Sequence, residues 1–122
     1  MPREALDGAL RNGVPRPEIV IGDRFGASSA ADVVERVEAA FRAAGFVVAR
    51  NTPFAGAYST QAYGRPLRNQ HAVQVEIDRS LYMDERNICP SADFEDVRRV
   101  LRGVVAELAA MGARDQGQLA AE

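Results

Sequence analysis

The sequence predicts an α/β domain. Two long segments carry apolar residues at helical spacing, three short runs rich in β-branched residues stand around them, and glycine or proline marks the boundaries. With 122 residues and a mass of 13.2 kDa, the chain is long enough for one domain with a single core and too short for two.

The elements follow in order. Residues 1–17 contain Gly8, Gly13, Pro15 and Pro17 and read as irregular, with a short helical turn from Glu4 to Leu10. Glu18 to Gly22 is the first strand; the uninterrupted Ile19, Val20 and Ile21 suit a strand buried on both faces. A turn to Ser29 follows, and Ser29 with Asp32 resembles a capping box opening a helix that runs to about Ala44. Val33, Val34, Val37, Phe41 and Ala44 form its apolar face, and Gly45 supplies a left-handed stop. Phe46 to Ala49 is the second strand. The segment from Asn51 to Gln70 is a long loop, part of it a possible hairpin, and connections of that length usually serve binding. His71 to Asp78 is the third strand.

A second long helix spans Ser91 to about Met111, with Phe94, Val97, Leu101, Val104, Val105, Leu108 and Met111 on one face. Arg98, Arg99 and Arg102 point away from it, as a solvated charged face does. The core is therefore expected over residues 18–112, with a frayed tail over 113–122. The β-helix-β crossover should be right-handed.

Composition excludes several classes. Forty-seven per cent apolar residues, a mean hydropathy of −0.21 and a net charge of −2 describe a globular chain without an electrostatic footprint for nucleic acid or an anionic membrane. All fifteen basic residues are arginine, which reflects compositional bias. Cys89 is the sole cysteine, so a disulfide or thiolate cluster within the chain is excluded, and Asn87, Ile88 and Pro90 beside it offer no general base. The N-terminus shows no apolar leader segment, no run approaches bilayer length, and a cytoplasmic location is the default expectation. The loop glycines fit neither dinucleotide nor Walker A spacing.

The segment HAVQVEID carries the sharpest chemical signal. Strand alternation puts Val73, Val75 and Ile77 on one face and Gln74, Glu76 and Asp78 on the other. Pattern alone favours a half-exposed strand. A carboxylate among such residues is otherwise paired or placed for chemistry, because burying it alone costs several kcal/mol.

Three stretches, PEIVIGDRFGASS, ARNTPFAGAYSTQAYGRP and HAVQVEIDRSLYMDE, resemble in order the signature motifs of the N-formylglutamate amidohydrolases. The resemblance covers roughly residues 15–115 and looks like the C-terminal half of such an enzyme. Nothing here matches the family's N-terminal half, with its His-Ser-Gly type turn and later metal-binding His. It implies a zinc-carboxypeptidase-like three-layer α/β/α sandwich in which this chain contributes a small sheet and two main helices, with sheet edges left open where further strands would pair. It also implies metal-dependent hydrolysis of N-formyl-L-glutamate to formate and L-glutamate, as in histidine degradation. Zn²⁺ is expected in the complete family enzyme and not on this chain alone, which is expected to be inactive without its other half.

By that resemblance Glu76 is the general base. Arg65 leads as the fork for a substrate carboxylate, with Arg24 and Arg68 behind it. Asn51 either donates to substrate or starts the turn before Pro53. Tyr58 and Tyr63 offer hydroxyls or pack at the loop base. Ala57 stands where the family shows a second glycine after Gly56, adding a Cβ where the backbone needs freedom. His71, the sole histidine, reads as a structural residue at the strand entrance. The expected partner is a small acylamino acid; nucleic acid and membrane are not, and a homo-oligomer or a missing N-terminal half stays open. Outside this reading stand a carboxylate-binding module without chemistry, an assembly domain joined through its sheet edge, and an amidohydrolase for another acylated amino acid.

Overall fold

A computed structural model describes residues 1–9 and 13–121 and shows a small α/β fold. Its elements are β1 (Ile19–Gly22), α1 (Ala31–Ala43), β2 (Val48–Arg50), α2 (Tyr58–Tyr63), β3 (Gln74–Ile77), β4 (Met83–Asp84), β5 (Cys89–Pro90) and α3 (Phe94–Ala121). A 3₁₀ turn over Arg3–Ala9 gives the N-terminal segment more order than its breakers suggest. Leu10, its expected end, lies outside the described residues.

The sheet runs β2-β1-β3. β1 pairs parallel with β2 through the α1 crossover and antiparallel with β3, so Ile19 stands between Val48 and Ile77. Being central, β1 is buried throughout, as its unbroken apolar run requires. Ile19 and Ile21 meet Val34, Val37 and Phe41 of α1 and Val104 of α3. Val73, Val75, Ile77, Leu101 and Leu108 pack against this core, which places both long helices on one sheet face.

Several boundaries differ from the sequence reading, each for a local reason. Ser29 does not cap α1: Ala30 is the N-cap residue and no side chain bonds there as a capping box would. Instead His71 Nδ1 accepts the Ala30 N–H at 3.1 Å. At the other end Gly45 takes φ +95 as expected. Its N–H bonds to Arg42 O and the Phe46 N–H to Phe41 O, the two bonds of a Schellman stop, with the Phe41 and Phe46 rings 6.2 Å apart. Phe46 is thereby spent on ending the helix, and β2 starts at Val48. Residues 71–73 are held by Ser28, which donates its Oγ to Ala72 O and accepts the Ala72 N–H, so β3 starts only at Gln74.

The 51–70 segment holds a short helix, α2, and a 3₁₀ turn over Pro66–Arg68; its only hairpin-like feature is a bridge between Arg65 and Gln70. A small β4-β5 hairpin, closed by Asp84 accepting the Arg86 and Asn87 N–H groups, delays α3 to Phe94. α3 then runs to Ala121, past the end expected near Met111. Val105 is 63% exposed and leaves the apolar face, which Phe94, Val97, Leu101, Val104, Leu108 and Met111 form.

Two predictions arise here. Gly103 is exposed within α3, and a Cβ built on it meets nothing within 4 Å. Gly103→Ala should therefore raise stability by about 0.5–1 kcal/mol, read as a higher urea midpoint at unchanged m. Glu38 joins α1 to β2 by accepting from Arg42 and Arg50. Burial pushes its carboxyl up, but the two arginine hydrogen bonds and charges outweigh that and hold it below its ordinary 4.5. A lowered folded value gives stability that is full above pH 4.5 and is lost as pH falls through the folded value. Glu38→Gln should cost about 1 kcal/mol at pH 7 and progressively less below pH 4.5, in paired urea titrations.

Candidate functional site

The candidate residues gather at one end of the sheet. β1 and β2, being parallel, send their following loops out at the same end, and antiparallel β3 enters there, with Gln74 opposite Gly22. The crevice outside the carboxyl ends of parallel strands is the usual ligand position in α/β sheets.

Asp23 and Asn51 tie the first two loops together. Asn51, at φ +59, donates its Nδ2 to Asp23 Oδ1 at 2.7 Å, while its Oδ1 accepts the Asp23 N–H at 3.1 Å and the Phe25 N–H at 3.4 Å. Asp23 is buried and takes the Gly26 N–H on its other oxygen. Asn51 is thus committed to shaping the 23–26 turn, where Arg24 and Phe25 both hold φ +55. Arg24 is half-buried and donates its backbone N–H to Ala55 O at 2.7 Å. The backbones approach closely here, since a Cβ on Gly22 would lie 2.6 Å from Ala55 C and Gly56 N.

Glu76 lies next to this junction. Its Oε1 accepts from Gln74 Nε2 at 3.0 Å, and Gln74 Oε1 accepts the Ala57 N–H at 2.9 Å. One amide side chain therefore links the carboxylate to the residue that opens α2. Glu76 Oε2 also lies 3.6 Å from the Met1 amino group, and its side chain is 32% exposed. Tyr58, next along from Ala57, is 75% exposed. The positive φ of this stretch, +113, belongs to Gly56, where a Cβ would strike Thr60 Oγ1. Ala57 is extended at φ −112, so its Cβ is accommodated.

Arg65 stands further round. Its Nη1 donates to the carbonyls of Gln61 at 3.1 Å and Gly64 at 2.7 Å, closing the end of α2, and it lines a concavity of about 320 Å³ with Ala27, Leu67 and Arg68. Tyr63 is exposed. Both ring nitrogens of His71 are engaged, Nδ1 with the Ala30 N–H and Nε2 with Asn69 Oδ1 at 3.0 Å.

Asp23 and Gln74 were not singled out by sequence reasoning. An acid between a strand-ending glycine and a second turn residue was the available signal for Asp23, and even spacing from Glu76 on one strand face was the signal for Gln74. Among the described residues no group of three or more His, Cys, Asp or Glu side chains could hold a metal ion, and no helix is long and apolar enough to cross a membrane.

Residues 1–83 match the family model described as N-formylglutamate amidohydrolase. The chain is 35% identical over 107 residues to an N-formylglutamate deformylase of Pseudomonas aeruginosa, covering 82% of this chain and 40% of that protein. It is 33% identical over 116 residues to one from Pseudomonas putida, covering 86% and 43%. In three dimensions it is similar to the crystal structure of an N-formylglutamate amidohydrolase from Ralstonia eutropha JMP134, with TM-score 0.79 and 30% identity over 96% of this chain and 41% of that one. The chain thus spans about two fifths of the length of the curated relatives it matches.

Proposed function

This chain belongs to the N-formylglutamate amidohydrolase family, and from that premise we propose that it carries the general base and part of the substrate pocket for hydrolysis of N-formyl-L-glutamate to formate and L-glutamate. The observation that supports this most is the Glu76 carboxylate, held by Gln74 where three loops converge. In this reading Glu76 takes a proton from water as the water oxygen bonds to the formyl carbon. The C–N bond then breaks, and the proton passes to the departing amine of glutamate.

Arg24 and Arg65 supply guanidinium groups for the two substrate carboxylates, Arg65 while also closing α2. Asn51 acts through the turn it shapes. Tyr58, at the exposed start of α2, offers its hydroxyl to the substrate. A three-layer sandwich of the zinc-carboxypeptidase type, a place in histidine degradation and a cytoplasmic setting belong to the same proposal.

The zinc implied by the resemblance does not fit the described residues, which lack a ligand group and engage both nitrogens of His71 within the chain. The metal ligands of the complete enzyme are therefore assigned outside them. The test is formate release from N-formyl-L-glutamate, with N-acetyl-L-glutamate as comparison, by the purified chain with and without Zn²⁺. No zinc uptake and no release are expected. Stoichiometric zinc with turnover would overturn the assignment of the ligands, and preference for the acetyl compound would overturn the substrate.

A further inference from the structure

Gln74 and Glu76 stand two apart on one face of β3, and the residues opposite them on β1 are Gly22 and the fully buried Val20. The neighbouring strand therefore offers this carboxylate no polar side chain. Its charged neighbours are the Met1 amino group, 3.6 Å from Oε2, and Asp78 two places along β3, which is occupied in accepting the Ser80 N–H. The side-chain hydrogen bond to Glu76 comes from Gln74, at 3.0 Å to Oε1.

The Gln74 amide can hold only one orientation here. A backbone N–H donates and never accepts, so the atom 2.9 Å from Ala57 N must be the amide oxygen. An ionised carboxylate accepts and never donates, so the atom facing Glu76 Oε1 must be the amide nitrogen. Turning the amide over would set N–H against N–H at Ala57 and oxygen against oxygen at Glu76, and both bonds would be lost together. In the orientation observed each bond strengthens the other, since the charge on Glu76 polarises the amide and makes its oxygen a better acceptor for the Ala57 N–H.

We infer that Gln74 is a positioning residue with two effects on the Glu76 base: it assigns Oε2 as the oxygen that takes the proton, and it ties the charge of the carboxylate to the start of α2. A proton on Oε1 would face the Gln74 N–H and force the amide over, breaking the bond to Ala57. A proton on Oε2 leaves both bonds in place, so the attacking water is expected on the Oε2 side. Loss of the charge then weakens the hold on Ala57, the N-cap residue of α2, and with it on the segment that carries Tyr58. By reciprocity, a ligand that draws Ala57 away releases Gln74 and the carboxylate it orients. The catalytic sense of this rests on Glu76 being the base; the coupling through Gln74 does not.

The test is an acid titration of the purified, isotope-labelled chain followed by NMR. It reads the Glu76 Cδ shift, the Ala57 amide proton shift and the scalar coupling across the hydrogen bond from Ala57 N to Gln74 Cδ. Ala57 should titrate in step with Glu76, and the coupling should persist in acid at reduced size. In Gln74→Met, Ala57 should cease to follow Glu76, and its amide exchange should be about fivefold faster. A coupling that vanishes as Glu76 takes its proton would overturn the assignment of Oε2. No coupling at any pH, or an Ala57 shift that follows Glu76 as closely in Gln74→Met, would overturn the link. The coupling is read on the unmodified chain, so a variant that fails to fold still leaves the inference open to refutation. Formate release is not read, so a failure of Glu76 as base stays distinct from these outcomes.

Discussion

Alanine in place of Gly22 is expected to lower the stability of the chain by about 3 kcal/mol, the upper end of what overpacking usually costs. The added Cβ would stand 2.6 Å from Ala55 C and Gly56 N, both backbone atoms that no rotamer change can move aside. Relief requires the loop after β2 to withdraw from the turn after β1, which breaks the bond from Arg24 N to Ala55 O and strains the Asp23–Asn51 pair. Against a usual total of about 5–15 kcal/mol this is a large share. Urea unfolding should show the midpoint falling sharply at unchanged m. A loss below about 0.5 kcal/mol, the range of an indifferent surface change, would mean that the loops do not close on each other as described.

Glu76→Gln is expected to lower kcat for formate release by about 10²–10⁴-fold in any assembly of this chain that turns over N-formyl-L-glutamate. The amide keeps the size of the side chain and an oxygen that can still accept from Gln74, but it cannot take a proton from water. Because the side chain is partly exposed and not in the core, the melting temperature should move little. Metal content of the assembly should be unchanged. Rate within a factor of about two of the unmodified protein would remove Glu76 as the base, while loss of rate together with lost metal would make it a ligand.

How much was legible in the sequence depended on whether local pattern or tertiary contact decided each element. Ile19, Val20 and Ile21 announced a buried strand because nothing but the interior accommodates such a run, and Gly45 announced a helix stop because only glycine takes φ +95 cheaply. Phe46 misled because its β-branched neighbours Val47 and Val48 look like strand, whereas its ring is claimed by Phe41 and its N–H by the helix end. α2 was hidden since YSTQAY carries no apolar periodicity; it is held by Thr60 Oγ1 donating to Ala57 O and by Gln74 at Ala57 N. At the site, the polar face of β3 could be read from alternation, which placed Gln74 beside Glu76. The clamp between Asp23 and Asn51 could not, because partners 28 residues apart leave no periodic trace.

The central position of β1 has a consequence for biosynthesis. Ile19 to Ile21 leave the ribosome before either neighbouring strand exists, and the antiparallel partner, Gln74 to Ile77, follows only after α1, β2 and α2. Until then a fully apolar strand has two unpaired edges, the form of nascent chain most prone to stick to its neighbours. Glu18 on one side and Asp23 with Arg24 on the other bracket that run with charge, as gatekeepers do. The same carboxylate of Asp23 that locks the turn thus also closes the apolar run with a charge, so Asp23→Asn should make refolding of the chain from urea more prone to aggregation, read by light scattering.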